Sequence, residues 1–512
     1  DEHPGSLKAT GDRAFAAGVN KLALHVFMHS PWLNKKPGIT LDGYGLFFQR
    51  DQTWFKQSKA WIEYLTRCQA LLQMGKPVVD IGVFTGEEIP RRSVLPDRLV
   101  NTLPGIFGKE KAESEKKRLH FVGQPQRELP AGVTHSDNMA DPENYIDPLN
   151  GYQYDCFNPD VLMQMTVKKG RAVTPGGASY ALLIVPGKHP MSPNVQMSEA
   201  VRRKLKQLAD AGVKIVLDSV HRGKFENEKN IIGAPYTDST FAQAGIEKDV
   251  EVINGVKNIA WAHREEGDTE IYFISNQSLQ KAIPRISFRF KGKIPELYYP
   301  LSNELGKAPV GAFNKNRTEV VLVLEPHESA FVIFRKKTDK QYFGYPDLQC
   351  AGLYQVMNLD KGWTIKFDKA NGGPIAEIKC DTLTSWTTSA NDSVKYYSGS
   401  AVYTNFVSWD YKNLNRTARL FIDSLWNIAT VKVNGVNCGT LWTQPYSVDI
   451  SKMLKQGENT IEIEVTNTWR NRLIGDEMLP PEKRVTWFNS PYSVKDKPLL
   501  PAGITGKVWI RM

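Results

Sequence analysis

Apolar residues occupy alternate positions from Leu22 to Met28, and this pattern predicts a β-strand. His25 and His29 lie among the residues between them, four positions apart, so a strand would place both imidazoles on one face. Pro31 follows and predicts the end of the strand.

Helical patterns flank this strand. Residues 5–19 predict a helix, with Ser6 as a possible N-cap and Gly18 as its end. Residues 52–75 repeat apolar side chains at helical spacing up to Gly75. The succession of helix, strand, loop and helix is the rhythm of a parallel barrel, so residues 1–75 are predicted to be the last βα units of a (β/α)8 catalytic barrel.

Residues 76–250 predict a doubly wound α/β domain. The apolar run "KPVVDIGVF" at 76–84 reads as a buried strand, and "SEAVRRKLKQLADAGVKIVLD" at 198–218 reads as a helix, a glycine turn and a second strand. A long polar insert at 105–150 is predicted to be a surface excursion.

Helical spacing ends near residue 251. Residues 251–337 alternate apolar and polar side chains and predict an antiparallel β-sandwich. After a linker, the all-β pattern resumes over 338–512, with a hairpin turn predicted at Asn434 and Gly435. The fold class is therefore multidomain, α/β followed by all-β.

Composition and charge exclude some classes of protein. Hydrophobic residues make up 41% and charged residues 23%, as in a globular protein, and the net charge of +10 comes from scattered Lys and Arg, which argues against a nucleic-acid partner. No apolar run is long enough for a membrane span, and no signal peptide is recognisable. The five cysteines show no CxxC pairing, which argues against a structural zinc site, although Cys350 and Cys380 could pair.

Three interpretations of the histidine pair remain open. A metal site would need a third ligand, and none is evident near His25 and His29. Both could instead be packed in a core. In the third interpretation they lie at the rim of a binding site, because the carboxyl ends of barrel strands build the active site. Trp32 then follows at the same end, and imidazole and indole suit the hydroxyls and the apolar face of a sugar.

Other motifs are less specific. Glu87 and Glu88 follow a strand, where they are catalytic candidates or structural ion-pair partners of nearby arginines. The segment "NTWRNRLIGDE" at 467–477 either lines a sugar pocket or is a loop tied down by Arg470 or Arg472 to Asp476. "TPGGASY" at 174–180 lacks the phosphate-loop spacing, and no GxSxG motif is present.

Long motifs resemble one enzyme family. "HPGSLKATGDRAFAAGVNKLALHVFMHSPW" at 3–32, the stretch from Pro37 to Leu99, "YDCFNPDVL" at 154–162 and "VTNTWRNRLIGDEMLP" at 465–480 resemble the later part of the α-L-rhamnosidases of glycoside hydrolase family 106. The final domain, 338–512, resembles the galactose-binding-like jelly roll that family-two β-glycosidases also carry.

The resemblance implies a glycoside hydrolase that releases α-L-rhamnose from plant polysaccharides such as rhamnogalacturonan, with a carboxylate pair and a calcium ion. It also implies a periplasmic or secreted location. The family's catalytic glutamates lie on earlier barrel strands, so the pair is expected upstream of residue 1, and Asp1 and Glu2 do not match that motif. This chain is accordingly expected to be the C-terminal half and to be inactive by itself.

His25, His29 and Trp32 would then face the substrate pocket from the eighth strand and its loop, while the catalytic residues and metal ligands stay unassigned. The alternative is a non-catalytic carbohydrate-binding fragment, in which exposed Trp426, Trp442 or Trp487 would supply stacking faces. A structural spacer is a third possibility.

Overall fold

The computed structural model describes residues 2–41, 46–89, 151–188, 194–225, 228–233, 238–307, 311–314, 316–338, 356–359, 361–410, 418–489 and 493–511. These residues form two compact units. Unit 1 takes its described residues from Asp1–Ala9, Lys21–Cys68 and Asp347–Met512, and unit 2 takes its own from Thr10–Asn20 and Gln69–Pro346. Many sheets and few helices make up both units. The polar insert at 105–150 and Cys350 lie outside the described residues.

The first elements confirm the predicted helices and correct their bounds. They are α1 (Pro4–Ala16), β1 (Pro37–Gly38), α2 (Lys59–Leu72) and β2 (Lys76–Pro77). Helix α1 begins two residues before Ser6, because proline is well suited to the first helical position. Ser6 lies inside the first turn, where its hydroxyl donates to the carbonyl oxygen of His3 at 2.9 Å. Gly18, with φ of +98°, follows the end of the helix as predicted.

The strand predicted from Leu22 to Met28 is not formed. Residues 19–36 contain neither helix nor strand. A strand needs a hydrogen-bonded neighbour, and none of the described residues forms a ladder with this segment. The assignment of residues 1–75 to a (β/α)8 barrel therefore stays a prediction.

A parallel sheet forms the first layer of unit 2. Its neighbourhood contains β3 (Ile81–Phe84), β4 (Tyr154–Phe157), α3 (Pro159–Gln164), β5 (Thr166–Lys168), β6 (Arg171–Val173), β7 (Ser179–Tyr180), β8 (Leu182–Val185), α4 (Glu199–Asp210), β9 (Lys214–Leu217), α5 (Ser219–Arg222), β10 (Ile231–Gly233) and α6 (Asp238–Gln243). The sheet order is β10-β9-β8-β3-β4, all parallel, which is the doubly wound order of flavodoxin-like folds. Strands β5, β6 and β7 form a small antiparallel sheet beside it.

Helix α4 shows how the sequence determines this layer. The Ser198 hydroxyl caps it by accepting from the backbone N–H of Val201 at 3.2 Å. One face buries Val201, Leu205, Leu208 and Ala209. The chain then turns at Gly212, whose φ of +104° favours glycine, and enters β9.

An antiparallel β-sandwich completes unit 2. Its strands are β11 (Val250–Val252), β12 (Ile259–Glu266), β13 (Thr269–Asn276), β14 (Arg285–Phe288), β15 (Lys293–Tyr299), β16 (Glu304–Lys307), β17 (Gly311–Asn314), β18 (Arg317–Val321) and β19 (Ser329–Lys337). One sheet has the order β11-β14-β18-β17, and the other has the order β16-β15-β19-β13-β12-β2. Trp261 from the second sheet and Phe288 from the first lie in the same buried cluster, so the two sheets share one core.

A second sandwich makes up most of unit 1. Its elements are β20 (Val356–Asn358), β21 (Trp363–Phe367), β22 (Ile378–Cys380), α7 (Asp392–Lys395), β23 (Ser400–Trp409), β24 (Arg419–Trp426), β25 (Ile428–Val433), β26 (Val436–Leu441), β27 (Ser447–Asp449), β28 (Gly457–Thr466), α8 (Arg470–Glu477), β29 (Trp487–Phe488) and β30 (Gly503–Arg511), with short 3-10 turns at Lys369–Asn371, Trp386–Thr388 and Pro481–Lys483. Its sheets have the orders β20-β30-β24-β27 and β22-β21-β23-β28-β25-β26. The predicted Asn434–Gly435 turn joins β25 to β26, with φ positive at both residues.

A buried charge network lies within unit 2. The imidazole of His263, on β12, contacts Asp249 Oδ2 through Nδ1 at 2.7 Å and Glu270 Oε2 through Nε2 at 3.0 Å. Burial alone would lower the pKa of His263, but the two carboxylates outweigh it and raise that pKa. Burial likewise opposes ionisation of Asp249, yet His263 and Arg289 hold its pKa below the ordinary value. The network therefore contains an imidazolium bound on both sides.

The raised pKa of His263 predicts a pH-dependent stability. Its imidazolium contributes fully below the unfolded-state pKa of about 6.5, and this contribution is lost as pH rises through the raised folded-state pKa. We expect the loss of melting temperature in His263→Gln to be largest near pH 6 and to shrink toward pH 9, as measured by thermal unfolding across that range.

His221 provides a control of opposite sign. Burial lowers its pKa, so its contribution is present above about pH 6.5 and is lost as pH falls. The stability difference between wild type and His221→Gln should therefore shrink toward low pH. Parallel pH profiles for the two variants would contradict the charged state assigned to His263.

Candidate functional site: an indole–lysine cluster in unit 1

The predicted histidine pair lies on the surface of unit 1. His25 and His29 are both exposed, which contradicts burial in a core. The ring of His25 meets Phe47 edge to face, with ring centroids 6.1 Å apart. Over the described residues, no group of three or more His, Cys, Asp or Glu side chains is placed to hold a metal ion. A role for the pair in substrate binding stays a prediction.

Trp32 is part of a cluster with two residues that the sequence did not connect to it. Its indole meets that of Trp487 at a centroid distance of 5.5 Å and an interplanar angle of 70°. The Nζ atom of Lys35 lies 4.4 Å from the ring centroid of Trp32 and 4.7 Å from that of Trp487. The indoles stay 40% and 38% exposed, so both can still contact a ligand. We call Trp32, Lys35 and Trp487 the indole–lysine cluster.

Backbone pairing holds the two halves of the cluster together. Strand β1 pairs in parallel with β29, with Pro37 opposite Trp487. The N–H of Trp487 donates to the carbonyl oxygen of Lys36 at 2.6 Å. Beyond the strands, the Asn489 side chain accepts from the backbone N–H and the hydroxyl of Thr40 at 2.6 and 2.9 Å. The indoles are thus positioned by hydrogen bonds of the backbone and of the Asn489 and Thr40 side chains, and the indole N–H groups take no part in them.

A buried ion pair supports the Trp487 side of the cluster. Asp476, in α8, binds Arg472 at 2.7 Å, and its side chain is 2% exposed. Its Oδ2 atom also accepts from the backbone N–H of Val485 at 3.0 Å and from both the N–H and the hydroxyl of Thr486 at 2.7 and 2.6 Å. The predicted tie between Arg472 and Asp476 is therefore confirmed, but the prediction of a loop is wrong, because Arg470–Glu477 is helix α8. The carboxylate fixes the residue directly before Trp487.

Arg50 supports the Trp32 side. Its guanidinium donates to the carbonyl oxygens of Ser30 at 2.5 Å and Trp32 at 3.4 Å. It also lies 3.7 Å from the carboxylate of Asp51. Burial raises the pKa of Asp51, and Arg50 and Lys36 partly offset that rise. Arg50 and Lys36 thus both place positive charge around Asp51.

Buried polar atoms without a hydrogen-bond partner recur in the described part of residues 30–57. Those without a hydrogen-bond partner among the described residues of this stretch are Ser30 Oγ, Gln49 Oε1, Asp51 Oδ2, Thr53 Oγ1, Trp54 Nε1 and Gln57 Oε1. Folded proteins leave few such atoms unpaired. Residues 30–57 thus offer polar groups to water, to a ligand or to further protein groups.

The other tryptophans singled out from the sequence have different environments. Trp442 is buried and packs against Tyr64 at 5.4 Å, so its prediction as an exposed stacking face is wrong. Tryptophans in β-strands also pack in cores, and the local sequence does not show whether a given indole is buried or exposed. Trp426 is 36% exposed, with its Nε1 donating to the Thr505 hydroxyl at 3.1 Å.

Glu87 and Glu88 have structural partners in unit 2. The N–H of Ser198 donates to Glu87 at 2.6 Å. The backbone N–H of Asn194 donates to Glu88 at 3.1 Å. Both carboxylates thereby tie the loop before α4 to the end of β3, and we assign them no catalytic role. Their arginine neighbours in sequence lie outside the described residues.

Sequence reasoning missed Lys35 and the pairing of Trp32 with Trp487. Lys35 follows Trp32 by three residues in a loop already rich in glycine, proline and aromatic residues, which was an available signal. No local pattern connects Trp32 to Trp487, because their proximity depends on the pairing of β1 with β29.

Comparisons with known proteins agree with this architecture. The profile of glycoside hydrolase family 106, described as alpha-L-rhamnosidase, matches residues 1–113 and 216–309. A profile described as glycosyl hydrolase 2 galactose-binding domain-like matches residues 386–493. The rhamnosidase from Novosphingobium sp. PP1Y is 28% identical and superposes with a TM-score of 0.78 over 100% of this chain and 46% of its own. A Formosa agariphila protein named "Putative beta-glucuronidase" is 22% identical over 100% of this chain and 62% of its own length.

The matches therefore connect the chain with the glycoside hydrolases. Within that class, its resemblance to the α-L-rhamnosidases of family 106 is confirmed, as is a galactose-binding-like domain in the C-terminal region. The chain spans about half to two thirds of these relatives. Trp487 falls within the match to the galactose-binding-like domain, and Trp32 falls within the match to the rhamnosidase family.

We expect Asp476→Asn to destabilise unit 1. The change leaves the buried Arg472 without its charge partner, and breaking such a pair costs about 3 kcal/mol. Thermal or urea unfolding measures the loss. Asp496→Asn is the matched control, because Asp496 is exposed and substitutions at such positions change stability by less than about 0.5 kcal/mol. Equal stability of the two variants would contradict the role given to Asp476.

Proposed function

We propose that this chain is the C-terminal part of a glycoside hydrolase that releases α-L-rhamnose from plant polysaccharides such as rhamnogalacturonan. The observation that carries the proposal is the similarity to a solved rhamnosidase along the whole chain, at 28% identity and a TM-score of 0.78. The indole–lysine cluster adds an exposed surface whose chemistry suits a saccharide.

The reaction class follows from the chemistry of glycosides. Hydrolysis needs one carboxyl group to protonate the leaving oxygen and a second carboxylate to activate water. We expect both from earlier barrel strands, upstream of residue 1, in line with the layout of the family. The part that we assign to this chain is substrate binding.

The predicted site residues can bind a sugar in complementary ways. The imidazoles of His25 and His29 can donate to and accept from hydroxyl groups, and both are exposed. The indole of Trp32 can cover the apolar face of a pyranose ring. Trp487 extends this surface from the galactose-binding-like region.

Calcium is proposed only from the family resemblance. The described residues provide no group of three or more carboxylate, imidazole or thiol side chains placed to hold an ion. The described side chains thus assign no calcium ligands, and we derive no reaction step through the ion. The periplasmic or secreted location is likewise a proposal, since polysaccharide substrates lie outside the cytoplasm. No helix in the described parts of the chain has the length and apolarity of a membrane span.

A second candidate function is carbohydrate binding without hydrolysis. The match of residues 386–493 to a galactose-binding-like domain favours it, because such a domain can bind sugar by itself. A rhamnose-containing oligosaccharide distinguishes the two. Calorimetric heat together with release of rhamnose supports the enzyme, and heat with no release from the protein that carries this chain supports the binding module.

We expect His29→Ala to lower turnover of an α-L-rhamnoside by about 10-fold in the protein that carries this chain. One lost hydrogen bond to substrate accounts for an effect of this size. Because His29 is exposed, the melting temperature should hardly change. A stopped assay for free rhamnose and a thermal melt on the same sample measure both quantities. Normal turnover with a large loss of stability would instead give His29 a structural role.

A further inference from the structure

Among the described residues, Lys35 is the cation that lies over both indoles of the cluster. Its Nζ lies within 5 Å of each ring centroid, at 4.4 and 4.7 Å. Both distances are well inside the range of cation–π attraction. Within the described chain, no carboxylate lies within ion-pair distance of this ammonium. The rings fix the position of the charge without neutralising it.

The ammonium keeps hydrogen-bonding capacity that the rings do not use. It has three N–H donors, and an aromatic face offers only its quadrupole. An anion beside the exposed indoles could accept from Lys35 while its ring covered an indole face. Since the rings already restrict the lysine side chain, less conformational entropy is lost when the anion binds.

The surrounding charges favour an anion as well. Lys36 is exposed and directly follows Lys35. The guanidinium of Arg50 donates to the backbone carbonyl oxygens of Ser30 and Trp32. The nearby carboxylate is that of Asp51, which is buried and lies beside Arg50. A neutral sugar could accept a hydrogen bond from Lys35 through a hydroxyl group, whereas an acidic sugar would accept a stronger, charge-assisted one.

We propose that the indole–lysine cluster selects an anionic sugar residue of the polysaccharide, one bearing a carboxylate or a sulfate group. The proposal rests on the proposed function and deepens it by assigning a specificity determinant. Trp32 and Trp487 bind the apolar face of this residue, and Lys35 pairs with its charge. No catalytic role is involved.

The test uses ligands that differ only in charge. Calorimetry on the full chain compares a rhamnogalacturonan oligosaccharide with the same oligosaccharide after its carboxyl groups have been reduced to alcohols. We expect the acidic form to bind about 10-fold more tightly in low salt, as one partly desolvated ion pair would give. The preference should shrink in about 0.5 M salt, where exposed charges are screened.

Two variants assign the preference to Lys35. Lys35→Gln should remove the preference, so that the acidic and the reduced oligosaccharide bind this variant with equal affinity. Lys395→Gln is the matched control, because Lys395 lies 5.3 Å from the ring centroid of Tyr396, elsewhere in unit 1, and should keep the preference. Trp487→Ala should weaken both forms, with Trp487→Phe as the milder variant that keeps an aromatic face.

The outcomes separate this inference from the proposed function. Equal affinity of wild type for the two forms, or no binding of either, overturns the inference. Release of rhamnose from a neutral aryl rhamnoside by the protein that carries this chain tests the hydrolase independently. A preference that survives in Lys35→Gln also overturns the inference. An oligosaccharide with sulfated rhamnose forms a second arm, in which tighter binding that is lost in Lys35→Gln assigns the sulfate source.

Discussion

The buried ion pair between Asp476 and Arg472 is the interaction on which the candidate site depends most. The carboxylate of Asp476 is buried, is bound to Arg472, and accepts hydrogen bonds from the two residues that precede Trp487. A buried carboxylate is tolerated when it is paired and hydrogen-bonded. Here Oδ1 lies in the ion pair with Arg472, and Oδ2 accepts the hydrogen bonds. These contacts offset the free energy cost of burying the carboxylate, and they fix the backbone next to the exposed indole of Trp487. A loop without this anchor would leave Trp487 free to rotate away from Trp32.

Elements with strong local signals could be predicted from the sequence. Helix α4 has a cap, an apolar stripe and a glycine end within a few residues, and the Asn434–Gly435 turn requires backbone angles that few residues adopt. The segment around His25 was different. Its alternation predicted a strand, but alternation describes only which side chains share a face, and a strand also needs a neighbour. The described residues supply none, so the segment is irregular there.

The candidate site could be predicted only in part, for a related reason. Trp32 was identified from its place after an apolar run, and its exposure agrees with a role in binding. Lys35 and Trp487 come together only because β1 pairs in parallel with β29, and these two-residue strands lie far apart in the sequence. Whether an indole is a platform or a core side chain depends on such pairings, as the contrast between Trp487 and the buried Trp442 shows.

The pairing of β1 with β29 also sets an order of events during synthesis of the chain. Trp32 and Lys35 leave the ribosome roughly 450 residues before Trp487. During that interval the first indole has no aromatic partner, and the lysine beside it lacks its second ring. The indole–lysine cluster therefore cannot be complete until β29 has been synthesised, and a nascent chain that stops ahead of β29 would carry most strands of the C-terminal sandwich without this cluster.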